Sequence, residues 1–345
     1  MTKKQWKTSN QLRKEHQIKW SFLLLLVLLI ACILVSLNTG HIRLTPIETV
    51  MTLIGKGTEQ QALILFDFRL PRIVIAILVG MGLAISGAIL QGIVRNPLAE
   101  PGIIGINAGA GLGVMLFISF FASVSEAPVY LMPVVAFVGA GAASFIVYVL
   151  SYKKYEGLSP IRLVLTGVAV AAGIDALMIV LTLRLDPDNY QFLATWLAGS
   201  IWGSNWTFVL ALLPWLLVLL PFVYTKASVL NVLNLGDETS VGLGVNMEKE
   251  RRVLLVLAVA IAAVCVSVSG GIGFVGLIAP HLTRRLVGDK HEHILPISAM
   301  VGAVLLVLAD TIGRWLQQSV EIPAGIFVAI IGAPYFLYLL AKTKD

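Results

Sequence analysis

The chain has 345 residues, of which 58% are hydrophobic and 13% charged, with a formal net charge of +6. A soluble domain carries about a quarter charged residues, whereas here apolar stretches near the roughly 20 residues that cross a bilayer recur from end to end. Composition therefore excludes a large soluble domain and points to one all-α, polytopic membrane domain with about ten transmembrane helices.

In chain order, residues 1–19 form a basic tail carrying Lys3, Lys4, Lys7, Arg13, Lys14 and Lys19. The apolar run that follows, 20–37, is long for a signal peptide and lacks a small-residue cleavage site, so it is expected to stay as the first span. An exterior segment leads to spans at 71–92, 103–121, 129–150 and 161–183. A short apolar piece, 191–203, carries Trp196, Gly199 and Gly203 and is expected to be a half-helix near the outer surface. Further spans are expected at 206–224, 253–269, 273–287, 294–313 and 323–341, with the polar interval 225–252 between the first two of these. The tight Ser269-Gly270-Gly271 turn joins the spans at 253–269 and 273–287.

With the N-terminus in the cytoplasm and ten crossings, only Arg43, Lys56, Arg69, Arg72, Arg184 and Arg314 of the 25 Lys and Arg fall outside. That asymmetry follows the positive-inside rule, places both termini in the cytoplasm, and accounts for the net charge without nucleic acid. No Gly-x-x-x-x-Gly-Lys-Ser/Thr loop is present, so ATP hydrolysis is not expected of this chain. Cys32 and Cys265 lie in apolar runs and read as packing residues. His281, His291 and His293 do not form a converging ligand set. Glycine runs such as Gly80-Met81-Gly82 and the stretch from Gly105 to Gly113 allow close helix packing. Gly270, Gly271 and Gly273 also fit a helix break.

Three features stand out from the apolar background. The loop from Arg95 through Asn96, Pro97, Leu98, Ala99, Glu100 and Pro101 to Gly102 is stiffened by two prolines and is placed on the cytoplasmic side, as either a rigid turn or a gate element. The interval from Gly236, Asp237 and Glu238 to Gly242, Leu243 and Gly244 is too polar to span and too apolar for a free linker. It fits a surface-lying helix capped by Asp237, or a docking surface for a cytoplasmic partner. The exterior cations Arg69, Arg72 and Arg314 are either interfacial anchors or a cluster facing an acidic partner. Two acids lie within predicted spans, where a charge at mid-bilayer costs about 2.5–3.5 kcal/mol. Asp175 is a candidate pathway-lining residue, and Asp310 is expected to pair with Arg314 one turn on.

The segments Arg69-Leu70-Pro71-Arg72, Gly82-Leu83-Ala84-Ile85-Ser86-Gly87, Gln91-Gly92 with Asn96-Pro97-Leu98-Ala99-Glu100-Pro101-Gly102, Gly273-Phe274-Val275-Gly276-Leu277-Ile278-Ala279-Pro280-His281 and Ala309-Asp310 together resemble the FecCD family. Its members are permease subunits of ATP-driven importers of iron siderophores, haem and cobalamin, and the likeness covers about residues 20–342. The resemblance implies a second permease subunit, with a heterodimer favoured over a homodimer. It also implies two cytoplasmic ATPase subunits that hold the ATP, an extracellular substrate-binding protein, and a ferric siderophore as cargo, with cobalamin or haem as alternatives. It further implies a multi-pass protein of the bacterial cytoplasmic membrane, with no cofactor in this chain. By the same resemblance, residues 236–247 match the coupling helices that press on the ATPase, and Arg69, Arg72 and Arg314 match the binding-protein contacts. Asn96, Pro97 and Leu98 match the cytoplasmic gate, with Ser159 near a second gate segment whose residue types depart from those of the cobalamin permeases. A reading of a different class is an ion-coupled secondary transporter that uses Asp175.

Overall fold

The computed structural model describes residues 9–40, 42, 44–120, 131–155, 157–316 and 322–342. The start of the basic tail and the facing ends of the third and fourth predicted spans lie outside them. Helix α1 (Ser9–Asn38) begins within the basic tail, eleven residues before the predicted span. The exterior segment is not a plain loop: it holds α2 (Pro46–Leu53) and α3 (Glu59–Ala62), each opened by a threonine capping box. A π-helical stretch, Leu63–Arg69, then runs into α4 (Leu70–Val94).

A 3₁₀ turn, Pro101–Ile104, leads into α5 (Ile106–Phe120), and α6 (Leu131–Ser151) follows. A two-residue hairpin pairs β1 (Tyr152–Lys153) with β2 (Gly157–Leu158) before α7 (Pro160–Thr182). The exterior half-helix is α8 (Pro187–Leu197), placed a few residues before the expected 191–203 because Asp186 caps it and Pro187 opens it. After α9 (Trp206–Thr225), the polar interval contains α10 (Ala227–Leu233) and α11 (Asp237–Gly242). The chain ends with α12 (Met247–Ser269), α13 (Val275–Val287), α14 (His291–Leu316) and α15 (Ala324–Lys342). Helix α12 starts at Met247, capped by the Asn246 side chain, so its first turns are polar and were not legible as span.

Among the described residues, eight helices are long and apolar enough to cross a membrane. The two other predicted spans are shorter: α5 has 15 residues and α13 has 13. At 1.5 Å per residue α13 covers about 20 Å, less than the hydrocarbon core of about 30 Å. It starts late because the chain from Gly270 (φ 69°) to Phe274 (φ 64°) is not helical.

The helices sort into a centre and a periphery. In α4 and α14, 78% of the most apolar window is buried within the chain, against 17% in α7 and 22% in α9. Small residues make the centre possible. A Cβ added at Gly80 would lie 2.3 Å from the Gly302 carbonyl oxygen, and one at Gly87 would lie 1.9 Å from that of Gly276. Backbones of α4, α13 and α14 therefore touch directly, the packing that substitutes for a hydrophobic driving force inside lipid. Ser86 Oγ donates to the Ala258 carbonyl at 2.7 Å and ties α4 to α12. Cys32 and Cys265 are buried packing residues with free thiols.

Candidate functional site

The Arg95–Gly102 loop lies at the level of the end of α4 only at its start. A Cβ at Gly276 would lie 2.6 Å from Pro101 Cδ and 3.0 Å from the Leu83 carbonyl oxygen. Leu83 lies 11 residues above the end of α4, about 16 Å along its axis. The loop therefore climbs from the end of α4 to the level of the middle of that helix, rather than lying wholly at one face of the bundle as expected.

Non-helical backbone at that depth must have its polar groups satisfied by protein. Glu100 Oε2 accepts from the Phe274 N–H at 2.9 Å, at the N-terminus of α13. Pro280 has no N–H to offer the carbonyl four residues back, that of Gly276. The buried Gln91 side chain supplies the missing donor: its Nε2 donates to Gly276 O at 3.2 Å and to Ala99 O in the gate loop, also at 3.2 Å. Gln91 Oε1 in turn accepts from Arg284 on α13. Gln91 and Glu100 were legible only as parts of a family motif. The signal that could have singled them out is a strong hydrogen-bonding side chain beside an apolar run.

Within the loop, the Leu98 N–H donates to Asn96 Oδ1 at 2.9 Å, and Asn96 and Pro97 are exposed. Leu98 packs against Leu277, Ile278 and Leu339, so the expected gate residue rests on α13 and α15. Ser159 is the N-cap of α7 but makes no side-chain cap bond. The two gate segments meet further along, where a Cβ at Gly167 of α7 would lie 1.9 Å from the Ile103 carbonyl oxygen.

The coupling interval is joined to this loop by ions. Contrary to expectation, Asp237 does not cap α11; it is the helix's first residue, and the N-cap is Gly236, at φ 103°. The Asp237 carboxylate instead accepts from Arg251 of α12 at 2.7 and 3.1 Å, and from Arg95. Burial by itself would raise the Asp237 carboxyl, but the hydrogen bonds and charge of Arg251, with Arg95, hold it below its ordinary value of 3.8. Arg95 directly precedes the expected gate residues: it ends α4 in the left-handed conformation, at φ 55°, uncommon for a residue with a Cβ. On the open side, Glu238, Gly242, Leu243 and Gly244 are exposed, and Leu235, Val241 and Leu243 are 60–62% exposed, an apolar surface.

The exterior arginines are not displayed as an open cation cluster. Arg69 is buried and donates to the carbonyls of Leu37 and Ile42. Arg314 is also buried and reaches the carbonyls of Ser36 and Thr39 at 3.2 and 2.8 Å. These are carbonyls at and just beyond the last turn of α1, the negative end of its dipole, which cations favour. Asp310 accepts from Arg314 at 3.1 Å, as expected, and is also bridged by Arg72 at 2.8 Å. Asp175 lies on an exposed stretch of α7, the most sparsely covered span.

Residues 28–342 match the FecCD transport family. The chain is 47% identical to the iron(3+)-hydroxamate import system permease protein FhuG of Bacillus subtilis (strain 168), covering 92% of this chain and 95% of that protein. Two Fe(3+)-citrate import system permease proteins of the same strain are also similar. YfmE is 44% identical, covering 95% of this chain and 96% of that protein; YfmD is 36% identical, covering 94% and 95%. Among solved structures, a metal-chelate type ABC transporter in an inward-facing conformation has a TM-score of 0.82 at 34% identity, covering 94% of this chain and 99% of that one.

Proposed function

This chain belongs to the FecCD transport family, and we propose that it is the permease subunit of a bacterial ABC importer that carries a ferric siderophore across the cytoplasmic membrane. The observation that carries this reading is the near full-length likeness to an iron(3+)-hydroxamate permease. In this reading both termini are cytoplasmic, a partner ATPase docks on the apolar face of α10 and α11, and a substrate-binding protein docks outside. The second permease is a related, non-identical chain, a reading supported by two different Fe(3+)-citrate import system permease proteins in one strain.

The geometry supports a specific order of events. ATP binding on the partner closes the ATPases and moves α11. Asp237 carries that displacement to Arg95, and the gate residues Asn96, Pro97 and Leu98 follow, because Gln91 and Glu100 fix the loop's other end to α13. The part of Arg69, Arg72 and Arg314 in docking is to hold the outer end of α1 and the exterior segment in place for the binding protein. Asp175, exposed on α7, is assigned to the pathway between the two permease subunits.

The test is uptake of labelled ferric hydroxamates, ferric citrate, haem and cobalamin by cells with and without the gene. Loss of a ferric-chelate signal supports the proposal, and loss of haem or cobalamin uptake alone keeps the mechanism but replaces the cargo. Uptake unchanged across the panel, in a strain lacking other importers, removes the assignment.

A further inference from the structure

Away from the pathway, α6 and α9 leave a crevice floored by α12. It holds two apolar cavities, of about 310 and about 360 Å³. Phe137 of α6 lines both, and it stacks on Trp215 of α9 with ring centroids 6.2 Å apart. Trp215 sits at the middle of α9, so the ring pair divides the crevice and one cavity lies on each side of it. The larger one runs from Phe137 down to Tyr148. Eleven residues of helix span about 16 Å, the depth of one leaflet's hydrocarbon.

The larger cavity opens sideways. Phe145 is 66% exposed and Val256 is 62% exposed, and its floor is made of small or branched residues, Val259, Ala260 and Ala263. Of the two α6 hydroxyls along it, that of Ser144 is turned to the Ile104 carbonyl at 3.3 Å, and Tyr148 lies at its lower end, where its ring stacks on Tyr152. Nothing in such a lining would hold a polar chelate, so the cavity is not a second cargo site. Its cytoplasmic mouth has a different character. Arg252 lines it there, half-exposed, and the exposed Lys153 and Lys154 follow the end of α6. Glu248 is an acid at this mouth; it accepts from Arg252 at 2.6 Å and from Tyr152 at 2.8 Å. Counting Glu156, which follows the lysines in the sequence, three cations stand against two carboxylates, and the mouth keeps a net positive charge.

We propose that this cavity binds one anionic phospholipid of the cytoplasmic leaflet, with an acyl chain along α12 below the Phe137–Trp215 pair and the headgroup at Arg252. An apolar slot one leaflet deep that ends in cations at headgroup level matches that ligand in length, polarity and charge. The inference needs only that the chain spans a membrane and stands whatever the importer carries.

Gly141 makes the test clean, because a Cβ placed there meets nothing within 4 Å while the residue lines the cavity. A larger side chain at Gly141 fills the slot without disturbing a neighbour. The full chain with its partner subunits is reconstituted in nanodiscs of equal phosphatidylglycerol and phosphatidylcholine, extracted in mild detergent and weighed by native mass spectrometry. The expected result is one retained phosphatidylglycerol per permease, lost at least several-fold in Gly141→Phe and Gly141→Leu, with the melting temperature unchanged. Arg252→Gln is expected to retain a lipid but with no preference for the anionic headgroup. Equal retention in the Gly141 variants would overturn the proposal. A photo-cross-linking amino acid at position 145 gives the second readout: labelling of lipid supports the site, and labelling of the second permease subunit overturns it.

Discussion

The two ion clusters of this protein use the same chemistry for opposite ends. On the side that the count of Lys and Arg assigns to the exterior, Asp310 and Arg314 are 2% and 7% exposed at their side chains, and Arg72 is 12% exposed. On the side that it assigns to the cytoplasm, Asp237 is 51% exposed and Arg95 is 33% exposed, with only Arg251 buried, at 9%. Burial decides what each cluster can do. A dry carboxylate between two guanidinium groups is expensive to break, because removing one partner strands a desolvated charge. A wet pair contributes about 0–1 kcal/mol and can be broken and remade in each cycle. The outer cluster fixes α1 to α14 and α4, and in the proposed mechanism the inner one joins parts that move relative to one another.

The harshest way to break this contrast is Asp310→Ala. It leaves Arg72 and Arg314 without their shared carboxylate, and a loss of about 3–5 kcal/mol is expected. Thermal unfolding of the purified protein reads this, and a change no larger than that of a surface variant would show the outer cluster to be as dispensable as the inner.

Gln91→Leu lies between the clusters. It removes the donor that replaces the missing N–H of Pro280, so the Gly276 carbonyl is left buried and unpaired, at a cost of about 1–3 kcal/mol. The same unfolding measurement checks it, with Gln91→Glu as the variant that keeps the shape but loses the donor.

Asp237→Asn is expected to lower stability by about 1 kcal/mol or less yet cut transport per ATP hydrolysed several-fold. Arg95→Gln should give the same transport defect, and the double variant no more than either alone, because both remove one joint. Additive defects in reconstituted vesicles would mean that the two residues act separately.

The smallest effect is that of pH. A carboxyl held below its ordinary value contributes stability that is complete above the unfolded pKa, 3.8 for Asp237, and lost as pH falls through the folded one. Spin-label distances between α11 and the gate loop should therefore hold from about pH 8 to about pH 5 and change only below about pH 4. A transition near neutrality would place control of the joint in another group.

Much of the architecture is a local property and was readable from the chain. Each span is a sum of neighbouring residues' preference for hydrocarbon, and eight of the ten expected crossings are long apolar helices. The asymmetry of Lys and Arg is likewise a count along the chain. The gate loop was identifiable from its two prolines, and the coupling interval from its intermediate polarity. What no window could show is depth and partnership. The gate loop's climb to the middle of α4 depends on small residues of α4 and α13 letting Pro101 approach Leu83. The same limit hid the burial of the outer arginines, whose hydrogen-bond partners lie up to 278 residues away.

The sequence by itself thus determined that the chain is a multi-pass membrane protein of this family, because hydropathy and motif are carried by residues close together. Only the tertiary structure decided which charges are locked and which are free to exchange. Arg72 meets Asp310 across 238 residues, and Arg95 meets Asp237 across 142. Whether water reaches each pair, and so how strongly it holds, is set by the helices packed around it.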